Sequence, residues 1–370
     1  MAAEIAAVLA AVFEDLTSLT GGLGGFVGLF DPGGPGGPGG PGGWQIDLLL
    51  WLQSMRHPAL TLFMGGVTML GDDLFYVAVL GLMYWKAFLG IDEISGTNGR
   101  VYLNGRGKSD GGFSRQDIMA LMNLVVLSVL LNIVIKQVIA APRPFEVVQA
   151  LEGLWVFTAG SASFPSGHAQ TAATFWVALL SSGKFFETGR QGGSWRPGRL
   201  GTSLLMVALI SISRLYLGVH WPQDVLAGAA LGTILGFSGP VLSKNFNRWS
   251  LIPILALAAT GIFVYQDDGA VQLICLLAGA VFGHWKSSRG ERSQRSVNSD
   301  RDPSVAALAL TFAFGLVAIA GAYLATTWLL TLAVLPELLV KAFATVETGL
   351  MVTWGVPSLL DFKRYPGRCG

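Results

Sequence analysis

Eight apolar runs, several of them near the length a helix needs to cross a hydrocarbon layer, constrain the fold of this chain more than any other feature. They lie near 74–90, 117–139, 168–183, 200–216, 225–242, 251–266, 270–285 and 305–331. A ninth, about 338–360, has Glu337, Lys341 and Glu347 in or beside it. The shorter runs need polar flanks or burial in a bundle to complete a span. Across 370 residues, 52% are hydrophobic and 13% charged, and the mean hydropathy is +0.56, so the solvent for these runs is a bilayer. The sequence predicts a multi-pass membrane protein.

Where the basic residues fall then matters more than the net charge of +1. The connections 86–116, 184–199, 244–250 and 286–304 hold 16 of the 24 lysines and arginines, and all four share one side of the predicted bundle. The positive-inside rule makes that side cytoplasmic. The opposite connections hold Lys136, Arg143 and Arg214, and the N-terminal stretch holds Arg56 against Glu4, Glu14, Asp15, Asp31 and Asp47. Nothing in this distribution points to a nucleic-acid partner.

Residues 1–43 read as a tail: a short amphipathic segment, then the Gly/Pro-rich DPGGPGGPGGPGGW, a spacer with too few side chains to pack. No basic n-region marks a cleavable signal peptide. A single span over 58–84 would put Gly71, Asp72 and Asp73 near mid-bilayer, so an interfacial helix followed by a span from about Leu74 is expected. The insert 94–117, with two Asn-Gly pairs, is a small hairpin or a flexible loop. The polar tract 286–303 is expected to be solvated near anionic headgroups. Cys275 and Cys369 are too few and too badly placed for a disulfide framework or a metal cluster.

The three outward cations need a reason. Lys136 and Arg143 sit in IKQVIAAPRPFE, seven apart, on one face of a helix if it ran that far, although Pro142 and Pro144 favour a break. Alone they read as snorkelling residues at an interface. The stretch SFPSGHAQTAATFW changes that reading. Pro165, Ser166 and Gly167 make a turn whose N–H groups converge on the positive end of the following helix, an arrangement suited to an oxyanion. Gly167 allows close approach to the backbone, Ser166 adds a hydroxyl, and His168 stands where a proton can reach a leaving oxygen. A structural alternative is a serine cap with an interfacial histidine.

A third segment, SRLYLGVHWPQDV, supplies Arg214, His220 and Asp224. Four residues apart near a helix start, the Asp224 carboxylate can take the Nδ1 proton of His220 and leave Nε2 as a nucleophile. The bland counterpart is a His–Asp hydrogen bond closing a helix end. Gly228, Gly232 and Gly236 follow on one helix face and permit close helix approach. Together the set suits a phosphate dianion, and phosphoryl transfer by positioning and charge needs no metal from it.

These residues strongly resemble the type 2 phosphatidic acid phosphatase family, which also includes glucose-6-phosphatase and, in soluble form, the vanadium haloperoxidases. Its motifs K-x6-RP, PSGH and SR-x5-H-x3-D occur in order as Lys136–Pro144, Pro165–His168 and Ser213–Asp224, within a resemblance covering roughly 57–266. The resemblance implies an all-α polytopic bundle with a six-helix phosphatase core (44–266); it is silent on the Gly/Pro spacer and on the two or three additional C-terminal spans that the apolar runs predict within 267–370. It implies that His220 attacks phosphorus to give a phosphohistidine, that Asp224 orients it and that His168 protonates the leaving group. Lys136, Arg143, Ser166, Gly167 and Arg214 would hold the phosphate, with no metal or cofactor.

The expected activity is a phosphoric monoester hydrolase acting on a lipid phosphate or pyrophosphate at the extracytoplasmic face, with the bilayer and the phosphorylated lipid as partners. Phe145, Trp155 and Phe157 in the loop 145–164 would form a lid or chain wall, or serve as interfacial aromatics. A soluble sugar phosphate is the alternative substrate, transfer to an acceptor other than water the alternative reaction, and a transporter or scaffold with a phosphate pocket the alternative outside enzymes. The sequence sets no oligomeric state.

Overall fold

A capping box opens the longest helix of the core. In the computed structural model, which describes residues 43–89, 91–95, 100–103, 113–181, 197–244, 252–264, 267–290, 305–333 and 335–358, Ser114 accepts from the Asp117 N–H at 3.1 Å and Asp117 accepts from the Ser114 N–H at 2.9 Å. The tail with its spacer, Cys369 and most of the tract 286–303 lie outside the described residues.

The helices in chain order are α1 (Gly43–Ser54), α2 (Pro58–Met69), α3 (Asp73–Leu89), α4 (Arg115–Ile139), α5 (Gly167–Ser181), α6 (Pro197–Tyr216), α7 (Pro222–Lys244), α8 (Ile252–Ala259, continued by a π turn to Val264), α9 (Asp268–Gly290), α10 (Val305–Leu332) and α11 (Glu337–Leu350, with a π turn to Gly355). Over their described residues all eight apolar runs are helical, and the doubtful ninth contains α11. Among the described residues, 115–147, 268–288 and 312–332 are each long and apolar enough to cross a membrane, and α2 with α3, bent by 55°, pass the same test only when taken together as a broken or re-entrant pair. Helix α5 is 15 residues long and buries Gln170, Thr171 and Thr174, so it depends on its neighbours rather than on lipid. The expected break before Leu74 is present: Asp72 Oδ1 caps the Leu74 N–H at 3.0 Å, one residue into α3.

The insert forms a hairpin, with β1 (Ile91–Ser95) antiparallel to β2 (Arg100–Leu103) and Ile94 opposite Val101. At that end of the bundle Arg115 of α4 donates to Ser287 of α9 at 3.3 Å, so the start of α4 and the end of α9 share one side.

Helix α4 ends at Ile139, where Ala140 takes a left-handed conformation (φ 48°) and returns its N–H to the Lys136 carbonyl at 2.8 Å. Lys136 and Arg143 are therefore not joined by helical periodicity; the extended Ala-Pro connection carries Arg143 to the site.

Helices α5 and α7 lie in closest contact. A Cβ on Gly228 would stand 2.4 Å from the Ser166 carbonyl oxygen, one on Gly232 2.1 Å from that of Gln170, and one on Gly236 2.7 Å from Val177 Cβ. The glycine face thus lets backbone meet backbone just below the Pro-Ser-Gly turn. The added helices α9 and α11 meet the same way, through Gly279, Gly283 and Gly349, and Trp85 of α3 donates its indole N–H to the Val352 carbonyl at 2.7 Å. Most large apolar side chains of α10, among them Leu310, Val317 and Trp328, face outward, as on a helix turned to lipid.

Candidate active site

Alternating helix directions bring the end of α4, the start of α5, the end of α6 and the start of α7 to one end of the bundle. All eight residues singled out in the sequence lie there. Lys136, in the last turn of α4, donates to the Ala162 carbonyl at 2.6 Å and to Ser161 Oγ at 3.2 Å. Arg143 is 2% exposed and donates to the carbonyls of Ser161 (2.8 Å) and Val219 (2.7 Å). Its backbone N–H is held by Glu146 at 2.7 Å. Arg214, completely buried, directs Nη1 to Thr68 Oγ1 (2.8 Å) and Thr158 Oγ1 (2.9 Å).

His220 occupies the connection between α6 and α7, 1% exposed. Its Nδ1 lies 3.4 Å from Asp224 Oδ2, and its Nε2 lies 3.4 Å from Arg143 Nη1. A guanidinium only donates, so Nε2 is the unprotonated nitrogen and Nδ1 carries the hydrogen toward the carboxylate. Asp224 Oδ2 also accepts the Trp221 N–H at 2.8 Å and the hydroxyl of Ser163. Burial, then Arg214, Arg143, Lys136 and His168 in that order, pushes the His220 imidazole well below its ordinary value.

The connection into α7 turns at Gly218, where φ is 69° and a side chain would meet Gln53 and the Glu152 carbonyl, so glycine is required. The Pro-Ser-Gly turn is placed against that segment: the Ser166 N–H donates to the Asp224 carbonyl at 2.9 Å. Ser166 Oγ, His168 Nε2, Arg214 Nε and Asp224 Oδ1 are buried polar atoms without a hydrogen-bond partner. Four motif residues therefore keep polar capacity unspent.

Among the described residues, the buried charged side chains are Lys136, Arg143, Arg214 and Asp224. Of these buried side chains, three cations face one carboxylate, while the less buried Asp73, Asp72 and Glu146 lie near Lys136, Arg214 and Arg143. An excess of two buried positive charges is costly unless an anion joins them, and a phosphate dianion carries the complementary charge.

Sequence reasoning missed Ser163, which bonds Asp224, and Thr68 and Thr158, which hold Arg214. Hydroxyls on other segments carry no spacing signal. Ser163, two residues before Pro165, was the one within reach of a motif. Of the loop aromatics, Phe157 is 70% exposed, while Trp155 packs where a Cβ on Gly65 of α2 would come within 2.9 Å of its ring. The indole forms part of the wall behind Thr158.

The family model described as PAP2 superfamily matches residues 117–248, a segment that contains all eight site residues. The resemblance drawn from the three motifs holds over this segment. An undecaprenyl-diphosphatase of Sulfolobus acidocaldarius is 37% identical over 113 residues, covering 30% of this chain and 48% of the relative. A decaprenylphosphoryl-5-phosphoribose phosphatase of Mycobacterium tuberculosis is 35% identical over 104 residues, covering 28% and 49%. The chain thus spans about half the length of the curated relatives it matches. A solved PAP2-type phosphatidylglycerolphosphate phosphatase from Bacillus subtilis aligns with 24% identity and a TM-score of 0.41, over 56% of this chain and 87% of that one.

Proposed function

We propose that this chain is an integral membrane phosphatase that removes phosphate from a lipid phosphomonoester or diphosphate at the extracytoplasmic face. The observation that carries the reading is the excess of buried positive charge around a histidine whose Nε2 is free of its proton. The names of the curated relatives, which carry polyprenyl phosphates, support a lipid as the substrate class.

In this mechanism the Nε2 lone pair of His220 forms a bond to phosphorus as the bond from phosphorus to the leaving oxygen breaks. His168 gives a proton to that oxygen. Lys136, Arg143 and Arg214, with Ser166 Oγ and the first N–H groups of α5, hold the three remaining phosphoryl oxygens. Asp224 steadies the positive charge on the imidazole through Nδ1–H. Water, losing its proton to His168, then cleaves the phosphohistidine and restores both histidines. The basic connections at the opposite end of the bundle support an outward-facing site.

Phosphate release by the detergent-purified protein in EDTA, from phosphatidic acid, a prenyl diphosphate and glucose 6-phosphate, tests the reading. Release from a lipid that is abolished by His220→Ala is the expected result. Release from glucose 6-phosphate alone would overturn the lipid assignment, and no release from any substrate would overturn the hydrolase. Labelling of a cysteine placed near His168 from the cytoplasmic side alone would reverse the orientation.

A further inference from the structure

The peptide unit between Pro165 and Ser166 is held at both ends. Its N–H donates to the Asp224 backbone carbonyl at 2.9 Å, and its carbonyl accepts from Asn132 Nδ2 at 3.2 Å. Asn132 lies on α4 one turn before Lys136 and is 6% exposed. The same amide nitrogen donates to Gln170 Oε1 at 2.9 Å. Gln170 Nε2 passes the chain on to the Ser128 carbonyl at 2.8 Å and to Ser128 Oγ at 3.2 Å, and Ser128 Oγ pairs with Thr174 Oγ1 at 2.9 Å. A buried polar ladder therefore joins α4 to α5, and its uppermost rung grips the turn rather than another side chain.

Asparagine suits this position for a chemical reason. A primary amide nitrogen has two hydrogens, one for the ladder and one for the turn; a hydroxyl has a single hydrogen and an ionised carboxylate none. The length is equally constrained. A Cβ on Gly167 would come within 3.1 Å of Asn132 Oδ1, so the amide is seated directly against the first residue of α5.

We propose that Asn132 is a positioning residue for the phosphate-holding turn. By fixing the Pro165 carbonyl it stops the peptide plane from rotating, and so keeps Ser166 Oγ and the first N–H groups of α5, which have no partner within the helix, aimed at the phosphate. This inference rests on the reading of the site as a phosphate site. A ladder that served only to satisfy polar groups inside the bundle would place the effect of its loss on stability alone, and equally at either end.

The test compares full-length Asn132→Leu, which keeps volume, and Asn132→Ser, which keeps one donor on a shorter arm, with Thr174→Val at the far end of the ladder. The readouts are the dissociation constant of inorganic phosphate by calorimetry, and kcat and KM on a lipid phosphate. The Asn132 variants are expected to weaken phosphate binding and raise KM by about tenfold, about 1.4 kcal/mol. Thr174→Val is expected to lower Tm while leaving both constants within about twofold of wild type. Wild-type constants in a folded Asn132 variant, or equal losses in Thr174→Val, would overturn the proposal. A wild-type protein that binds phosphate but hydrolyses no lipid phosphate would defeat the proposed function and still leave the role of Asn132 decided by binding. Absence of phosphate binding in the wild type would overturn both.

Discussion

Asp224 accepts the Ser166 N–H through its backbone carbonyl at 2.9 Å, while its side chain faces His220 Nδ1 at 3.4 Å. One residue thus ties the phosphate turn with its main chain and the histidine with its carboxylate, and substitution separates the two. Asp224→Asn leaves the main-chain tie intact but presents an amide that can turn the imidazole to the wrong tautomer. We expect kcat to fall by about 10³-fold or more, with phosphate affinity changed only a few-fold. Parallel loss of affinity and turnover would show that the two roles are not separable.

Ser163 donates to the same carboxylate oxygen, and its N–H is fixed by the Ala141 carbonyl at 2.8 Å. Removing the hydroxyl leaves Asp224 Oδ2 held by the Trp221 N–H and loosens the carboxylate. Ser163→Ala should lower kcat by roughly tenfold, the worth of about one hydrogen bond, with KM little altered. Steady-state kinetics with unchanged kcat would assign Ser163 to packing.

Arg214 is held from α2 by Thr68 and from the loop by Thr158. Because both hydroxyls meet the same Nη1, their losses should not add. Thr68→Val and Thr158→Val should each raise KM a few-fold, and the double variant should exceed either single by less than the product of the two effects. Strict additivity in this cycle would mean the threonines act on separate groups.

The close approach of α5 and α7 makes a stability prediction independent of chemistry. Gly232→Ala sets a methyl group 2.1 Å from the Gln170 carbonyl oxygen, whereas Gly201→Ala on α6 meets open space. Gly232→Ala should destabilise by roughly 1–3 kcal/mol, and Gly201→Ala should be neutral or stabilising by up to about 1 kcal/mol. Thermal unfolding in one detergent compares them directly, and equal Tm values would refute the packing argument.

The depressed His220 value gives a pH dependence of defined sign. In the fold the neutral imidazole is favoured, so the unfolded chain binds more protons below the ordinary histidine value of about 6.5. Stability from this group is complete above that pH and declines as pH falls below it. If His220 is the nucleophile, as proposed, it stays unprotonated through the neutral range, so the acid limb of kcat/KM should lie well below pH 6.5. An acid limb near 6.5 that vanished in no other histidine variant would contradict the burial argument.

The helices and the eight site residues were legible because each has a local signature: an apolar run, a Pro-Ser-Gly turn, a His-x3-Asp spacing. The spacing between Lys136 and Arg143 was legible but its cause was not, since a left-handed Ala140 and an extended connection do what helical periodicity does not. Asn132, Ser163, Thr68 and Thr158 were illegible because their partners lie 25 or more residues away, or on another helix, and a lone polar residue in an apolar run has no pattern to distinguish it. Gln170 and Thr174 sit within an apolar stretch, and only the ladder to Ser128 shows that α5 is shielded by protein.

The bond from Trp85 to the Val352 carbonyl joins positions separated by most of the chain. During synthesis α3 reaches the membrane long before Val352 is made, so its indole N–H waits for its final acceptor until the turn after α11 has been made. The segment from Lys136 to Asp224, which carries the proposed site, is complete well before that moment. Assembly is therefore staged in time, with the residues from Lys136 to Asp224 delivered before the segment that closes the packing around α3.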